Sequence, residues 1–103
     1  MSVPNSPASV LALVHQLAAQ KRILLLWPEG RRADHVDVRM RQRGATARDV
    51  QHALENASTC EPGDPEEGER PRWKVTGLDL DADPLTVLIE LDGTSFVVVI
   101  TLY

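Results

Sequence analysis

The fold is decided near the end of the chain, by residues 85–100, which read LTVLIELDGTSFVVVI. In the first half of this stretch apolar residues alternate with the others, which is the period of a β-strand. Asp92-Gly93 then gives a strong hairpin signal, so the next strand should run antiparallel to the first. Residues 96–100 are apolar on both faces. We therefore expect residues 95–102 to form an internal, central strand that is covered on both sides.

Another alternating stretch precedes this one, at residues 73–80. Its apolar phase changes at Gly77, which predicts a bulge or a bend at that residue. Acidic residues nearby match ligand positions of a calcium-binding loop; they are Asp79, Asp81, Asp83 and Glu90. However, Pro84 stands where such a loop needs a glycine, and the flanking segments read as strands. We therefore interpret this segment as an acidic turn between strands.

The beginning of the chain has helical periodicity. Ser6-Pro7 is typical of a helix start, and the apolar residues that follow keep a 3.6-residue period to about Gln20. Residues 22–27 then look like a short buried strand, which ends at Pro28 and Gly30.

Two more helices are predicted before the alternating stretches. The first covers residues 33–43, and Gly44 is the glycine that ends it. The next covers residues 46–57 and begins with Thr46 and Asp49, which together resemble a capping box. Both helices should pack on one face of the sheet through apolar residues, namely Val36, Met40, Val50 and Leu54.

This order of elements predicts an α+β fold, with N-terminal helices packed on an antiparallel meander of about four strands. A chain of 103 residues suits one domain, residues 1–103. Within it we expect an extra N-terminal helix at residues 1–21, which either covers apolar surface or mediates a dimer, and a core at residues 22–103. Residues 61–70 hold five acidic residues before their one base, and we expect an exposed loop there.

Composition excludes several classes of protein. Aromatic residues make up only 4% of the chain, which argues against a nucleic-acid platform built on base stacking. The single cysteine allows neither an internal disulfide nor a thiolate metal cluster, so we expect a cytoplasmic location. No apolar run approaches the roughly 20 residues of a membrane span, and we expect no membrane partner. The net charge of −4 is unfavourable for a general nucleic-acid binder.

A basic segment nevertheless lies within this acidic chain, because residues 31–48 hold six arginines and two aspartates. In a helix, His35, Arg39 and Arg43 form one stripe beside the apolar strip. Arginine binds phosphate with two hydrogen bonds, and histidine exchanges protons near neutral pH. The stripe therefore suits a site that binds or cleaves a phosphodiester, with Arg31 and Arg32 as further phosphate contacts. The alternative is a solvated basic face.

The helix–Gly44–helix segment also permits a DNA-binding helix-turn-helix, with Arg48 at the start of the recognition helix. The outward residues of that helix carry little positive charge to hold phosphates. A helical hairpin that covers a sheet is therefore the better interpretation. The sequence contains no glycine-rich phosphate loop and no His/Cys set with metal-ligand spacing, and we expect neither a metal nor a cofactor.

The stretch from His35 to Asn56 reads H-x3-R-M-x2-R-G-A-T-x2-D-V-x2-A-L-x-N. It resembles a family of small prokaryotic proteins with a domain of unknown function, whose pattern is close to H-A-x-x-R-M-x-x-R-G-I-S-x-x-D-V and whose chains end in a T-x-Y-like tail. Here the tail is Thr101-Leu102-Tyr103. The resemblance covers about residues 31–103. Ala45 departs from this pattern, and so do the polar residues that precede His35.

This family looks related to the RelE/ParE and barnase/colicin-like toxins, in which two helices pack on a four-stranded antiparallel sheet. The resemblance implies a metal-independent endoribonuclease of a toxin–antitoxin system, with RNA and a small antitoxin-like protein as partners. His35, Arg39, Arg43 and Tyr103 would then be catalytic, and Lys74 would be an extra phosphate contact. His35 or Tyr103 would exchange protons, so Tyr103 should lie within about 10 Å of the stripe. The alternative is a noncatalytic interaction or regulatory module of the same fold.

Overall fold

The computed structural model describes residues 5–25, 40–63 and 71–103. Two complete helices and five strands lie in these ranges; they are α1 (Pro7–Ala19), β1 (Ile23–Leu24), α2 (Ala47–Glu55), β2 (Thr59–Pro62), β3 (Arg72–Leu78), β4 (Pro84–Asp92) and β5 (Phe96–Leu102). Residues 40–43 are also helical. The rest of the helix predicted at 33–43 lies outside the described residues, as do residues 64–70 of the predicted acidic loop.

The five strands form one mixed sheet in the order β1-β5-β4-β3-β2. Strands β2 to β5 are antiparallel neighbours in chain order, and β1 pairs in parallel with β5. The α+β class is confirmed. The sheet differs from the expected one, because it has five strands instead of about four and one of its pairings is parallel. Strand β5 is internal as predicted, although β4 occupies the centre.

Strand β2 was missed by the sequence prediction, which placed Glu61 and Pro62 in a loop. Its four residues carry no alternating apolar pattern, because only Cys60 packs against the core. The strand is instead defined by its pairing with β3, from Thr59 opposite Thr76 to Pro62 opposite Trp73. Such a strand depends on a partner that the local sequence does not reveal.

Both α1 and the helical residues 40–43 end in the same hydrogen-bonding pattern. The Gly44 N–H donates to the Arg41 carbonyl (3.2 Å), and the Ala45 N–H donates to the Met40 carbonyl (2.9 Å). Gly44 has φ +68°, so this end is the predicted glycine-type C-cap, a Schellman motif. At the end of α1 the corresponding position is Lys21, with φ +60°.

The main core lies between the sheet and the two helices. From the helices it takes Val10, Val14, Leu17, Val50, Ala53 and Leu54, all buried. From the strands it takes Trp73, Val75, Val87, Ile89, Val97, Val99 and Leu102. We call this side of the sheet the helix face. The apolar stripe of α1 is thus buried within one chain, as an integral part of the core.

Gly77 does not form the predicted bulge, because β3 pairs with β4 without a break from Arg72 to Leu78. A glycine is needed here for another reason: a Cβ atom at this position would overlap the backbone carbonyl of Ala53 in α2. The absence of a side chain lets the helix approach the strand closely.

The irregularity occurs instead between β4 and β5. Leu88 pairs with Thr101 and Ile89 with Val99, so Ile100 is an extra residue in β5. This β-bulge shifts the alternation, which places both Val99 and Leu102 on the helix face. Val98 and Ile100 point to the opposite side, where they form a small buried cluster with Leu88. The strand is therefore apolar on both faces, as its sequence indicated.

Both predicted turns are present. Asp92 pairs with Phe96 across the hairpin, and Gly93 adopts φ +59° between them. In the β3–β4 turn the Asp79 carboxylate accepts hydrogen bonds from the N–H groups of Asp81 and Asp83, both at 2.9 Å. The first aspartate therefore serves the turn itself. No cluster of metal-ligating side chains occurs among the residues that the structure describes.

Candidate functional site

Four of the predicted site residues lie outside the described ranges, namely Arg31, Arg32, His35 and Arg39. Arg43 is exposed, at the end of the helical residues 40–43, next to Gly44. Met40, one turn earlier, packs against the core on the helix face. The expected distance between Tyr103 and the basic stripe therefore stays a prediction.

Lys74 and Tyr103 lie on the side of the sheet opposite the helices, which we call the second face. Residues directly opposite each other in neighbouring strands point to the same side. Lys74 pairs with Leu88, which belongs to the buried cluster of that side, and Leu88 pairs with Thr101. The lysine and the carboxyl end of β5 are thereby placed on one surface.

The structure brings these two predicted site residues together. The Lys74 ammonium lies over the Tyr103 ring, 5.1 Å from its centroid. Tyr103 is 41% exposed, and Lys74 is half-buried. Within the ranges that the structure describes, the Lys74 ammonium forms no ion pair. The described second face therefore carries a cation that forms no direct ion pair, beside an accessible phenol.

A row of hydroxyl groups leads across the sheet to this pair. Thr59 lies opposite Thr76, and Thr76 lies opposite Thr86. The hydroxyls of Thr76 and Thr86 are hydrogen-bonded at 2.8 Å, and the Tyr103 N–H donates to the Thr86 carbonyl at 3.0 Å. We call Thr59, Thr76, Thr86 and Tyr103 the hydroxyl row. No signal in the sequence points to this row, because only the strand register aligns threonines that lie far apart in the chain.

The next charged residues on the second face form a buried ion pair. The Arg72 Nε–H donates to the Glu90 carboxylate at 3.1 Å, and both side chains are at most 4% exposed. The two residues are directly opposite each other in β3 and β4. This pair neutralises its own charge. The exposed charged residues of the described second face include Glu61, which is the cross-strand neighbour of Lys74, Arg22, whose guanidinium lies 5.8 Å from the centroid of the Phe96 ring, and Asp92, which lies opposite Phe96.

The second half of the sequence motif, from Gly44 to Asn56, is structural. The Thr46 hydroxyl accepts from the Asp49 N–H, and the Asp49 carboxylate accepts from the Thr46 N–H, which completes a capping box. At the other end of α2 the Asn56 side chain bonds to both backbone groups of Leu78, at 2.8 and 2.9 Å. These residues fix α2 to the end of β3 and to the turn after it.

The two histidines in the described ranges bond to backbone carbonyls. His15 Nε2 lies 2.7 Å from the Ala57 carbonyl, and His52 Nδ1 lies 2.9 Å from the Leu78 carbonyl. Both belong to helices on the helix face, away from Lys74. The outward side of α2 is therefore partly engaged with β3, which does not suit a recognition helix that enters a DNA groove.

Cys60 has no features of a nucleophile. Burial raises the pKa of its thiol to about 11, and the neighbouring Glu61 adds to the increase. The thiolate, which is the reactive form, is thus disfavoured at neutral pH. The Cys60 side chain packs against the core instead.

The sequence profile of a family described as a domain of unknown function, DUF4258, matches residues 33–103. The match includes the helical motif, the whole β2–β5 sheet and both Lys74 and Tyr103, while α1 and β1 precede it. No curated protein and no solved structure matches the chain. In the described ranges, no helix is long and apolar enough to span a membrane.

Proposed function

The chain belongs to the DUF4258 family, and we propose that it is a toxin-like, metal-independent endoribonuclease whose active site lies on the second face of the sheet. The observation that carries this proposal is the contact of Lys74 with Tyr103, at 5.1 Å, on a partly exposed surface. A cation and a phenol beside each other can supply charge stabilisation and a transferable proton to one phosphodiester.

The reaction proposed is an internal transfer on RNA. The 2′-oxygen of a nucleotide loses its proton and attacks the adjacent phosphorus. The bond to the 5′-oxygen of the next nucleotide breaks, and that oxygen takes up a proton. The products are a 2′,3′-cyclic phosphate and a free 5′-hydroxyl, and the sequence of steps consumes no water.

Each named residue has one task in this scheme. Lys74 stabilises the negative charge that develops on the phosphoryl oxygens, and Tyr103 gives its phenolic proton to the leaving 5′-oxygen. His35 is the proposed base for the 2′-hydroxyl, since His15 and His52 bond to backbone carbonyls on the other side of the sheet. Arg39 is the proposed further phosphate contact. Arg43 ends the helical residues 40–43, whose Met40 packs on the helix face, so we assign it no contact at this site.

The proposal is tested with purified protein and a single-stranded RNA in the presence of EDTA. We expect fragments that end in 2′,3′-cyclic phosphate. Tyr103→Phe and Lys74→Met should each lower kcat by about 10²-fold or more. Lys21→Met is the matched control, because Lys21 is the only other lysine of the chain and lies at the end of α1. Its activity should equal that of the wild type.

A wild-type protein that leaves RNA intact would contradict the proposal, as would full activity in Tyr103→Phe and Lys74→Met. The first result would favour the alternative, a noncatalytic interaction or regulatory module, and the second would place the active site elsewhere. The edge strand β2 is a poor template for a partner's strand in such a module. Gly63 donates its N–H to Arg72 in β3, so the alternate position Pro62 lies on the outward side and offers no donor.

A further inference from the structure

We propose that the hydroxyl row and Lys74 form a track for the sugar–phosphate backbone of single-stranded RNA, which lies across the strands and reaches the cleavage site at Tyr103. This inference rests on the proposed ribonuclease function and adds how the substrate is held. It is carried by the alignment of Thr59, Thr76 and Thr86 at three paired strand positions, with Tyr103 joined to the row by its backbone hydrogen bond to Thr86.

The size of the row suits a short segment of single strand. Neighbouring strands are roughly 4.8 Å apart, so the row spans about 14 Å from Thr59 in the edge strand to Tyr103. Thr59 and Tyr103 are exposed, and Thr76 and Thr86 are half-buried between them. Both ends of the row are therefore exposed, its two middle threonines are partly accessible, and its only ring lies at the Tyr103 end.

The chemistry of the row favours the RNA backbone over the bases. A threonine hydroxyl can donate to a phosphate oxygen and also to the 2′-oxygen of the sugar, which remains an acceptor when it is methylated. Lys74, in the next row, adds the positive charge that a phosphate needs. The row has no amide or guanidinium side chain that could pair with a base edge. Tyr103 alone can stack on a base, so the track should bind with little sequence preference.

The existing hydrogen bond between Thr76 and Thr86 makes a clean test possible. Because these two hydroxyls bond to each other at 2.8 Å, replacing both with valine leaves no unpaired partner behind. The double variant Thr76→Val/Thr86→Val should therefore fold normally. The matched control is Thr94→Val, since Thr94 is exposed in the β4–β5 hairpin turn.

The probe is a single-stranded 2′-O-methyl RNA, which cannot be cleaved because it has no free 2′-hydroxyl. Fluorescence anisotropy at several salt concentrations gives both the affinity and its salt dependence. The double threonine variant should bind about tenfold more weakly with an unchanged salt dependence, because hydroxyls are neutral. Lys74→Met should weaken binding and reduce the slope of log K against log salt by about one. Thr59→Val, at the exposed end of the row, should give a smaller loss in the same direction.

Wild-type affinity in the double threonine variant would overturn the track, as would failure of the wild type to bind the probe. The proposed track and the proposed nuclease activity can be refuted independently of each other. Binding with the predicted pattern but no cleavage of ordinary RNA would leave the track standing and sink the nuclease. Cleavage with an unchanged KM in the threonine variants would do the reverse.

Discussion

At the scale of single residues, the carboxylate of Asp49 connects two parts of the structure. Its side chain accepts from the Thr46 N–H at 2.8 Å, from the Thr46 hydroxyl at 3.0 Å and from the Leu80 N–H at 3.1 Å. These bonds join the start of α2 to the β3–β4 turn. The hydrogen bonds from the backbone N–H groups of Thr46 and Leu80 lower the pKa of the carboxyl below its ordinary value of 3.8.

This lowered pKa predicts an acid-sensitive contribution to stability. Because the folded value lies below the unfolded one, Asp49 stabilises the fold fully above about pH 4, and this contribution is lost as the pH falls through the folded pKa. Asp49→Asn should be less stable at pH 7 and should lose less of its remaining stability in acid. Urea unfolding between pH 7 and pH 3 measures both effects. Glu55→Gln, on the same helix, is the control, and equal acid dependence in Asp49→Asn and the wild type would refute the role.

Glu61 opposes the proposed substrate, because it is the cross-strand neighbour of Lys74 on the second face. A carboxylate beside the phosphate-binding cation repels the RNA backbone at close range. Glu61→Gln should therefore bind the 2′-O-methyl RNA about threefold more tightly at low salt, with a smaller gain at high salt. Glu55→Gln removes the same charge on the helix side and should have no comparable effect. A gain of equal size in both variants would indicate a general charge effect instead.

At the scale of helices and strands, two glycines are required for different reasons. Gly44 has φ +68°, and no atom of the described residues lies near the place where a Cβ would stand. An alanine there would therefore be disfavoured only by the backbone conformation. Gly77 lies in a regular strand, but a Cβ would overlap the Ala53 carbonyl oxygen. One glycine ends a helix, and the other lets α2 lie against β3.

The two substitutions should therefore differ in cost. Gly44→Ala should lower the free energy of unfolding by about 1 kcal/mol, the typical cost of a left-handed non-glycine residue. Gly77→Ala must push α2 away from β3 and should cost about 3 kcal/mol, or prevent folding. Chemical denaturation of both variants makes the comparison. A Gly77→Ala protein as stable as Gly44→Ala would mean that α2 does not approach β3 as closely as described.

Caps and turns with a local signal were predicted correctly from the sequence. Ser6-Pro7, Gly44, the Thr46–Asp49 box and Asp92-Gly93 all act as expected, because caps and turns depend on neighbouring residues. Pairing between distant segments was not predictable in this way. Strand β2 has no apolar alternation, β1 joins β5 in parallel from the other end of the chain, and the bulge lies at Ile100 instead of Gly77.

At the scale of the whole molecule, an acidic chain of net charge −4 places Lys74 against Tyr103 on one face of its sheet. Lys74 was singled out by its charge and Tyr103 by the family resemblance, but their contact follows only from the register of β3, β4 and β5. The hydroxyl row has the same origin. Neither could be predicted from the sequence, because cross-strand neighbours are far apart along the chain.

The most direct test of the central claim, that the second face is the RNA site, uses Tyr103 as the only tyrosine of the chain. NMR spectra are recorded while the uncleavable 2′-O-methyl RNA is added. The signals of the Tyr103 ring and of Lys74, Thr76 and Thr86 should shift together. Signals of α2, such as His52 and Asn56, should stay in place. Shifts confined to the helices, with Tyr103 unchanged, would contradict the claim.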